Sequence, residues 1–406
     1  MIPALRFSKF KSEYLPKTID EVAKVTSGGT PSRAKADYWN GHIPWVTTSQ
    51  INFEDITAAD EYITDLGLKN SSAKLFPKGT ILLALYGQGI TRGRVSVLEI
   101  EATTNQACAA IILKSEDVNT RFTFYYLQSK YEDIRNLAND GGQKNLSGGL
   151  VKNLSVVLPS DVMEQAKVAD FLTSVDKKIS QLTEKHRLLK DYKKGVMQQI
   201  FSRKIRFKDD NGNAFAEWKE KSFNDVFNRV TAKNRENNEN VLTISAQKGL
   251  ISQLEYFNKS VSAKDVTGYY LLHKGDFAYN KSYSKGYPMG AIKPLKYYEK
   301  GVVSTLYICF RPKADYCEHY FEQYFDAGML NREIAKIAQE GARNHGLLNV
   351  SVTEFFEDIK LTVPHIDEQQ KIARCLQSLD KKIDAVNDQI EQTKLFKKGL
   401  LQQMFV

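Results

Sequence analysis

The sequence predicts an α+β protein. Two β-rich domains are held apart by two long helices, which pair as an intramolecular antiparallel coiled coil, and the chain as a whole is a pseudo-twofold tandem repeat. Three observations predict this. A 38-residue stretch starting at Glu164 returns at Glu368 with 17 identical residues, at a constant offset of 204 and without a gap. Both copies carry a heptad pattern spaced strictly four, three, four, three. Each is preceded by a long segment of short apolar runs punctuated by Gly and Asn, the mark of strands rather than of further helix. Duplication on this scale fixes architecture before any single element is assigned.

The first domain is expected over residues 1–158. Ile81–Tyr86, Val95–Ile100 and Ala109–Leu113 read as short strands, and a helical stretch follows from about Phe122 to Ala138. The first spacer helix is assigned to 159–203. Its seam is Val168, Leu172, Val175, Ile179, Leu182, His186, Leu189, Lys193, Val196 and Ile200, spaced four, three, four, three. Asp161 and Glu164 have the spacing of a capping box just beyond the Pro159 break. The second domain is assigned to 204–362, with a strand expected along Val302–Phe310 and helix from Glu318 to Gln339. The second spacer helix occupies 363–406 and repeats the seam as Ile372, Leu376, Leu379, Ile383, Val386, Ile390, Thr393, Lys397, Leu400 and Met404.

The duplication extends past the helices. Leu5-Arg6-Phe7 returns as Ile205-Arg206-Phe207, and Leu154-Ser155-Val156-Val157-Leu158-Pro159 as Ile359-Lys360-Leu361-Thr362-Val363-Pro364. Between these anchors the halves diverge. Connectivity favours antiparallel helices: a parallel pair would crowd both domains at one end and require a return crossing, whereas an antiparallel pair delivers Phe201 where the second domain must begin. A helix of this length is roughly 55 Å long at ~1.5 Å per residue. Two readers on such a rod suit DNA, whose major groove returns to one face every ~34 Å. The heptads by themselves equally describe a coiled-coil scaffold without DNA specificity.

The chain has 406 residues, 42% of them hydrophobic, enough for at least two cores, and no run long enough for a membrane span, so a soluble, cytoplasmic protein is expected. The four cysteines are dispersed and form neither a disulfide framework nor a zinc pattern. A net charge of +9 fits an anionic partner such as nucleic acid, and equally a protein that merely stays soluble. Methyltransferase tetrapeptides of the Asn-Pro-Pro-Tyr type, a Walker A sequence and a nuclease-like acidic cluster are all missing, so no catalytic residue and no metal ligand is assigned.

The duplicated Glu-Gln-x-Lys-[Val/Ile]-Ala, Asp-Lys-Lys-Ile, Lys-Lys-Gly and Gln-Gln-x-Phe helices, each preceded by a Leu-Pro or Val-Pro strand end, resemble the specificity subunit of Type I restriction-modification systems along essentially the whole chain. Gly28-Gly29-Thr30-Pro31-Ser32 and Tyr38-Trp39-Asn40-Gly41-His42-Ile43-Pro44-Trp45 are similar to the opening of many target-recognition domains. The resemblance implies two target-recognition domains and two helical regions acting as a ruler. It implies docking of two methyltransferase subunits and of restriction subunits with ATP-driven translocation on double-stranded DNA. Methylation would fall on adenine N6. S-adenosylmethionine, ATP and magnesium would be held by those partners, with no cofactor in this chain.

Three loop pairs are candidates for DNA contact. Tyr86–Gly93 follows an apolar strand with GxGxxxG spacing, but a strand rather than a helix is expected at Val95. A hairpin presenting Gln88, Thr91, Arg92 and Arg94 is therefore preferred to a cofactor loop. Its counterpart presents Asn280, Lys281, Tyr283 and Lys285, residue types suited to phosphates, stacking and base edges. Thr47, Thr48 and Gln50 pair with Gln247 and Lys248 after corresponding strands. Lys144 and Asn145 pair with Arg343 and Asn344 ahead of the conserved strand. A solvated polar loop is the alternative at each. His186, Lys193 and Lys397 interrupt the heptads as register-setting polar residues, and the Lys-Lys pairs beginning at 177, 193, 381 and 397 read as solvated faces.

Overall fold

Ile81–Ala84 is apolar at every position because the strand is covered on both faces. Ile81 and Leu83 enter one core with Val95, Val97 and Ile111, while Leu82 and Ala84 enter another with Val46, Ile51 and Phe76. A half-exposed strand would instead alternate apolar and polar residues. The computed structural model describes residues 2–87, 90–137, 145–245, 248–257, 265–284, 286–338 and 348–405. The chain divides into two compact units, residues 1–183 with 387–406 and residues 184–386. Each contains one β-rich domain and a segment of both long helices.

In the first unit a sheet runs Ala23–Ser27, Cys108–Leu113, Ile81–Ala84, Val95–Leu98, Asp55–Ile56, antiparallel except for its last pairing. A smaller sheet centres Trp39–Val46 between Glu61–Ile63 and Thr103–Thr104. Tyr14–Thr18 pairs with Ser155–Pro159, so the repeated Leu-Pro strand ties the chain start to the start of the first long helix. The helical stretch is broken in two, Thr120–Ser129 and Tyr131–Asn136, with Asn119 capping the first through the Phe122 amide.

In the second unit the sheet runs Phe227–Arg229, Ile308–Pro312, Phe277–Asn280, Ala291–Pro294. This is the order of the first four strands of the other domain, although the two sequences have diverged. Lys219–Ser222 pairs with Lys360–Val363 as the counterpart ribbon. Two pairs, Leu242–Ser245 with Gly249–Ser252 and Tyr270–His273 with Lys300–Val303, complete the β structure. The expected strand along Val302–Phe310 is two strands, Lys300–Val303 and Ile308–Pro312, which belong to different sheets. The chain turns at Ser304, whose carbonyl accepts from the Tyr307 amide. Helix again comes in two pieces, Glu318–Asp326 and Asn331–Ile337.

The long helices span Val162–Phe201 and Ile366–Met404. Every assigned seam position is buried or half-buried. Within the first unit Val168, Leu172 and Val175 share a core with Leu400, Met404 and Phe405, and Asp176 meets Lys397. Within the second, Met197, Ile200 and Phe201 share a core with Ile372, Ala373 and Leu376, and Lys193 meets Asp380. In each unit, early residues of one helix pack on late residues of the other, which is antiparallel pairing. The first helix stops where Arg203 takes a left-handed φ of 62°. Among the described residues no helix is long and apolar enough to cross a membrane.

Candidate DNA interface

Where each domain meets its helix, the Glu-Gln dipeptide anchors it. Glu164 is fully buried and accepts from Arg6 Nε and Nη2, both at 2.7 Å, and from Ser12 and Tyr14. Glu368 is equally buried and accepts from Arg206 and from Trp218 Nε1 at 3.1 Å. A bidentate guanidinium with further donors satisfies a carboxylate removed from water. The expected capping box is therefore not formed. Asp161 accepts the Met163 amide, but the Glu164 carboxylate turns into the domain to meet Arg6. Gln165 bridges the Asn119 amide to the carbonyls of Asp117 and Pro159, and Gln369 bridges the Cys317 amide to Pro364. The Leu5 amide donates to Gln403 O at the end of the second helix, as Ile205 donates to Gln199 O at the end of the first. The repeated Arg and Glu-Gln thus form one joint built twice. Their identity in both copies was the available signal, but separations of 158 and 162 residues concealed the pairing.

The signature near the chain start is also structural. An added Cβ on Gly28 would stand 2.1 Å from Thr104 O, and one on Gly29 would stand 2.4 Å from the Ser72 carbonyl carbon. The two glycines permit this backbone approach, and Trp45 Nε1 donates to Gly29 O at 3.0 Å. The Arg33 guanidinium lies 3.7 Å from the Trp39 ring centroid and pairs with Glu61.

Candidate loops that the sequence treated separately meet in the first unit. Ile81–Ala84 and Val95–Leu98 pair antiparallel, so the segment containing Thr91, Arg92 and Arg94 is a hairpin connection leading into a strand. Gly87 and Gly93 have φ of 143° and 85°. Arg94 lies over the Phe53 ring at 5.6 Å, Phe53 meets Tyr131 edge-on, and the Tyr131 hydroxyl donates to Ile90 O. Phe53 itself has a φ of 70°, an unfavourable conformation for a non-glycine residue that the surrounding contacts hold in place. Leu146 N donates to Leu85 O, which brings Asn145 to the same hairpin. Thr47 bonds Ser49. Thr48–Gln50 forms a turn of 3-10 helix. The Gln50 amide accepts from Asp60 N and donates to Ala58 O, so it braces that turn.

In the second unit, Leu348 N donates to Lys281 O, repeating the Leu146–Leu85 contact. Asn280 accepts the Ser282 amide through its side chain, and Tyr283 is 65% exposed. Lys248 lines a recess of about 370 Å³ with Lys193, Lys293, Tyr297 and Asp380. Gln88, Lys144, Gln247, Lys285, Arg343 and Asn344 fall outside the described residues.

Two segments, residues 11–190 and 216–394, match the family model for the Type I restriction modification DNA specificity domain. The chain belongs to this family. Membership in a DNA-specificity family supports sequence recognition over a coiled-coil scaffold without it. The specificity-domain chain is 30% identical over 186 residues to the Type I restriction enzyme MjaIX specificity subunit of Methanocaldococcus jannaschii, covering 45% of this chain and 42% of the relative. It is 29% identical over 171 residues to the EcoR124I/EcoR124II specificity subunit of Escherichia coli, covering 41% of this chain and 42% of the relative. These alignments thus span less than half the length of the curated relatives. The S subunit of a Type I system from M. genitalium superposes with a TM-score of 0.58 at 16% identity, covering 100% of this chain and 99% of that one. A second structure, from work on Type I complex assembly and conformational transition, gives 0.56 at 13% identity, covering 98% and 99%. These two likenesses speak for the fold.

Proposed function

We propose that this specificity-domain chain is the DNA-recognition subunit of a Type I restriction-modification complex, reading a bipartite, asymmetric site with one recognition domain per half-site. The tandem match to a DNA-specificity domain carries the reading, and the geometry supports it. Two domains with one strand order and different loops offer two related but non-identical readers. Lys and Arg would hold phosphates, while Asn, Gln and Tyr would meet base edges and stack.

In this reading the chain positions two adenine-N6 methyltransferase subunits and ATP-dependent restriction subunits, and takes no covalent part in the chemistry. S-adenosylmethionine, ATP and magnesium would be bound by those partners. The hairpin after Ile81–Ala84 leads into the strand Val95–Leu98, whereas a cofactor loop of this spacing would lead into a helix. A cytoplasmic location follows from the substrate.

Co-expression with the cognate methyltransferase subunit, followed by modified-base sequencing of host DNA, tests the proposal. Methylated adenine at a single two-part motif is expected. Methylation without a motif, or none, would return the chain to the scaffold alternative.

A further inference from the structure

Lys293 is only 7% exposed, an uncommon place for an ammonium group. It sits in the strand Ala291–Pro294, and its Nζ lies 2.5 Å from Asp326 Oδ1 at the end of the helix Glu318–Asp326. The same ammonium donates to the Tyr287 hydroxyl at 2.9 Å and stands 4.8 Å from that ring's centroid. Burial pushes the lysine towards its neutral form, but Asp326 and Tyr287 outweigh it, and the net shift is upward. The group stays charged.

Tyr287 belongs to the connection between Phe277–Asn280 and Ala291–Pro294, which carries Lys281 and Tyr283. Its amide donates to Ser284 O at 2.8 Å, next to Tyr283 in the chain. Tyr279, fully buried, donates to Met289 O at 2.8 Å. The connection is therefore held at two points, one of them a buried charge. An apolar residue of similar volume would pack at least as well as a buried ion pair, so the pair's contribution is to fix geometry. In the first domain the matching strand position is Ser96, since Leu82 pairs with Ser96 as Ala278 pairs with Lys293. Ser96 accepts the Asn52 amide at 3.1 Å, two residues beyond the Thr47–Gln50 candidate loop.

We infer that Lys293, Asp326 and Tyr287 are positioning residues for sequence readout by the second recognition domain, fixing its hairpin connection at Tyr287 and thereby where Asn280, Lys281 and Tyr283 meet DNA. This rests on the DNA reading above. The differing pins explain how two domains of one strand order hold unlike reading surfaces.

The test uses the full chain with its methyltransferase partner and duplexes bearing the methylated motif or single base changes in either half. Y287F removes only the hydroxyl, and K293M/D326N removes both charges while keeping volume. Discrimination should fall about tenfold or more, the scale of a lost base contact, at one half-site only and at the same one for both variants. The other half-site and the melting temperature should stay as in the unsubstituted protein. Unchanged discrimination in folded variants overturns the inference, as does equal loss at both half-sites. If the double variant fails to fold, Y287F decides by the same criteria. An unsubstituted complex without sequence preference would instead refute the DNA reading, and the inference with it.

Discussion

Lys397 Nζ lies 2.6 Å from Asp176 Oδ1, and the repeat sets Lys193 at the same 2.6 Å from Asp380 Oδ1. The second oxygen of each carboxylate accepts from a recognition-domain helix: the Tyr125 hydroxyl on Asp176 at 2.8 Å, Gln323 Nε2 on Asp380 at 2.9 Å. Lys193 and Lys397, which the sequence placed in the seam as polar residues while reading their Lys-Lys pairs as solvated faces, are largely buried ion-pair partners. Asp176→Asn should cost about 2–3 kcal/mol, because it strands the Lys397 ammonium. That is below the roughly 3–5 kcal/mol of a fully buried pair, since Asp176 keeps 32% side-chain exposure. Adding Lys397→Met should recover most of the loss. Chemical denaturation of the single and double variants measures both, and a double variant as unstable as the single would contradict the assignment.

Leu376 is fully buried between the helices and the second domain. Leu376→Ala should cost about 3 kcal/mol through lost burial and the cavity left behind. Leu188 on the same helical pair is 52% exposed, and Leu188→Ala should change stability by less than about 0.5 kcal/mol. Thermal melts of the two variants side by side check the contrast.

Stability should fall on acidification through Glu164. Burial would raise its carboxyl, but hydrogen bonds from Arg6, Ser12 and Tyr14 outweigh that and hold it below the ordinary 4.5. A depressed folded value means this contribution is complete above about pH 4.5 and is lost as pH falls through the folded value. Glu164→Gln should be less stable near neutrality, with a shallower decline of melting temperature below pH 4.5. Parallel slopes for variant and unsubstituted protein would remove Glu164 as the cause.

Gly290 closes the hairpin between Phe277–Asn280 and Ala291–Pro294 with a φ of 79°, and a Cβ there would stand 2.3 Å from Asn280 O. Neither the backbone conformation nor the space admits alanine. Gly290→Ala should destabilise the chain by about 1–3 kcal/mol and weaken binding of a duplex carrying the motif. Titration of that duplex against both proteins at one fixed salt concentration provides the measurement.

The heptad seam was legible because long-helix periodicity is local: Val168 to Ile200 and Ile372 to Met404 fall on the covered face as their spacing requires. The Ile81 strand was legible because an apolar run bounded by glycine has few other uses. Between Val302 and Phe310 the same rule failed, since Val303 and Ile308 are both β-formers and nothing local announces the turn between them. Gln50 looked like a base reader because amides read adenine; its position puts both amide ends on the Ala58–Asp60 turn.

By itself the sequence determined the duplication, the two rods, their seam and the family, all of which are written in periodicity, spacing or repeated words. Only the tertiary structure decided that Arg6 meets Glu164, that Lys397 meets Asp176, and that Lys293 reaches Asp326. Such pairings join residues far apart in the chain, or on different strands and helices. Ion pairs and hydrogen bonds form between groups that folding brings within about 3 Å. No local pattern encodes that distance.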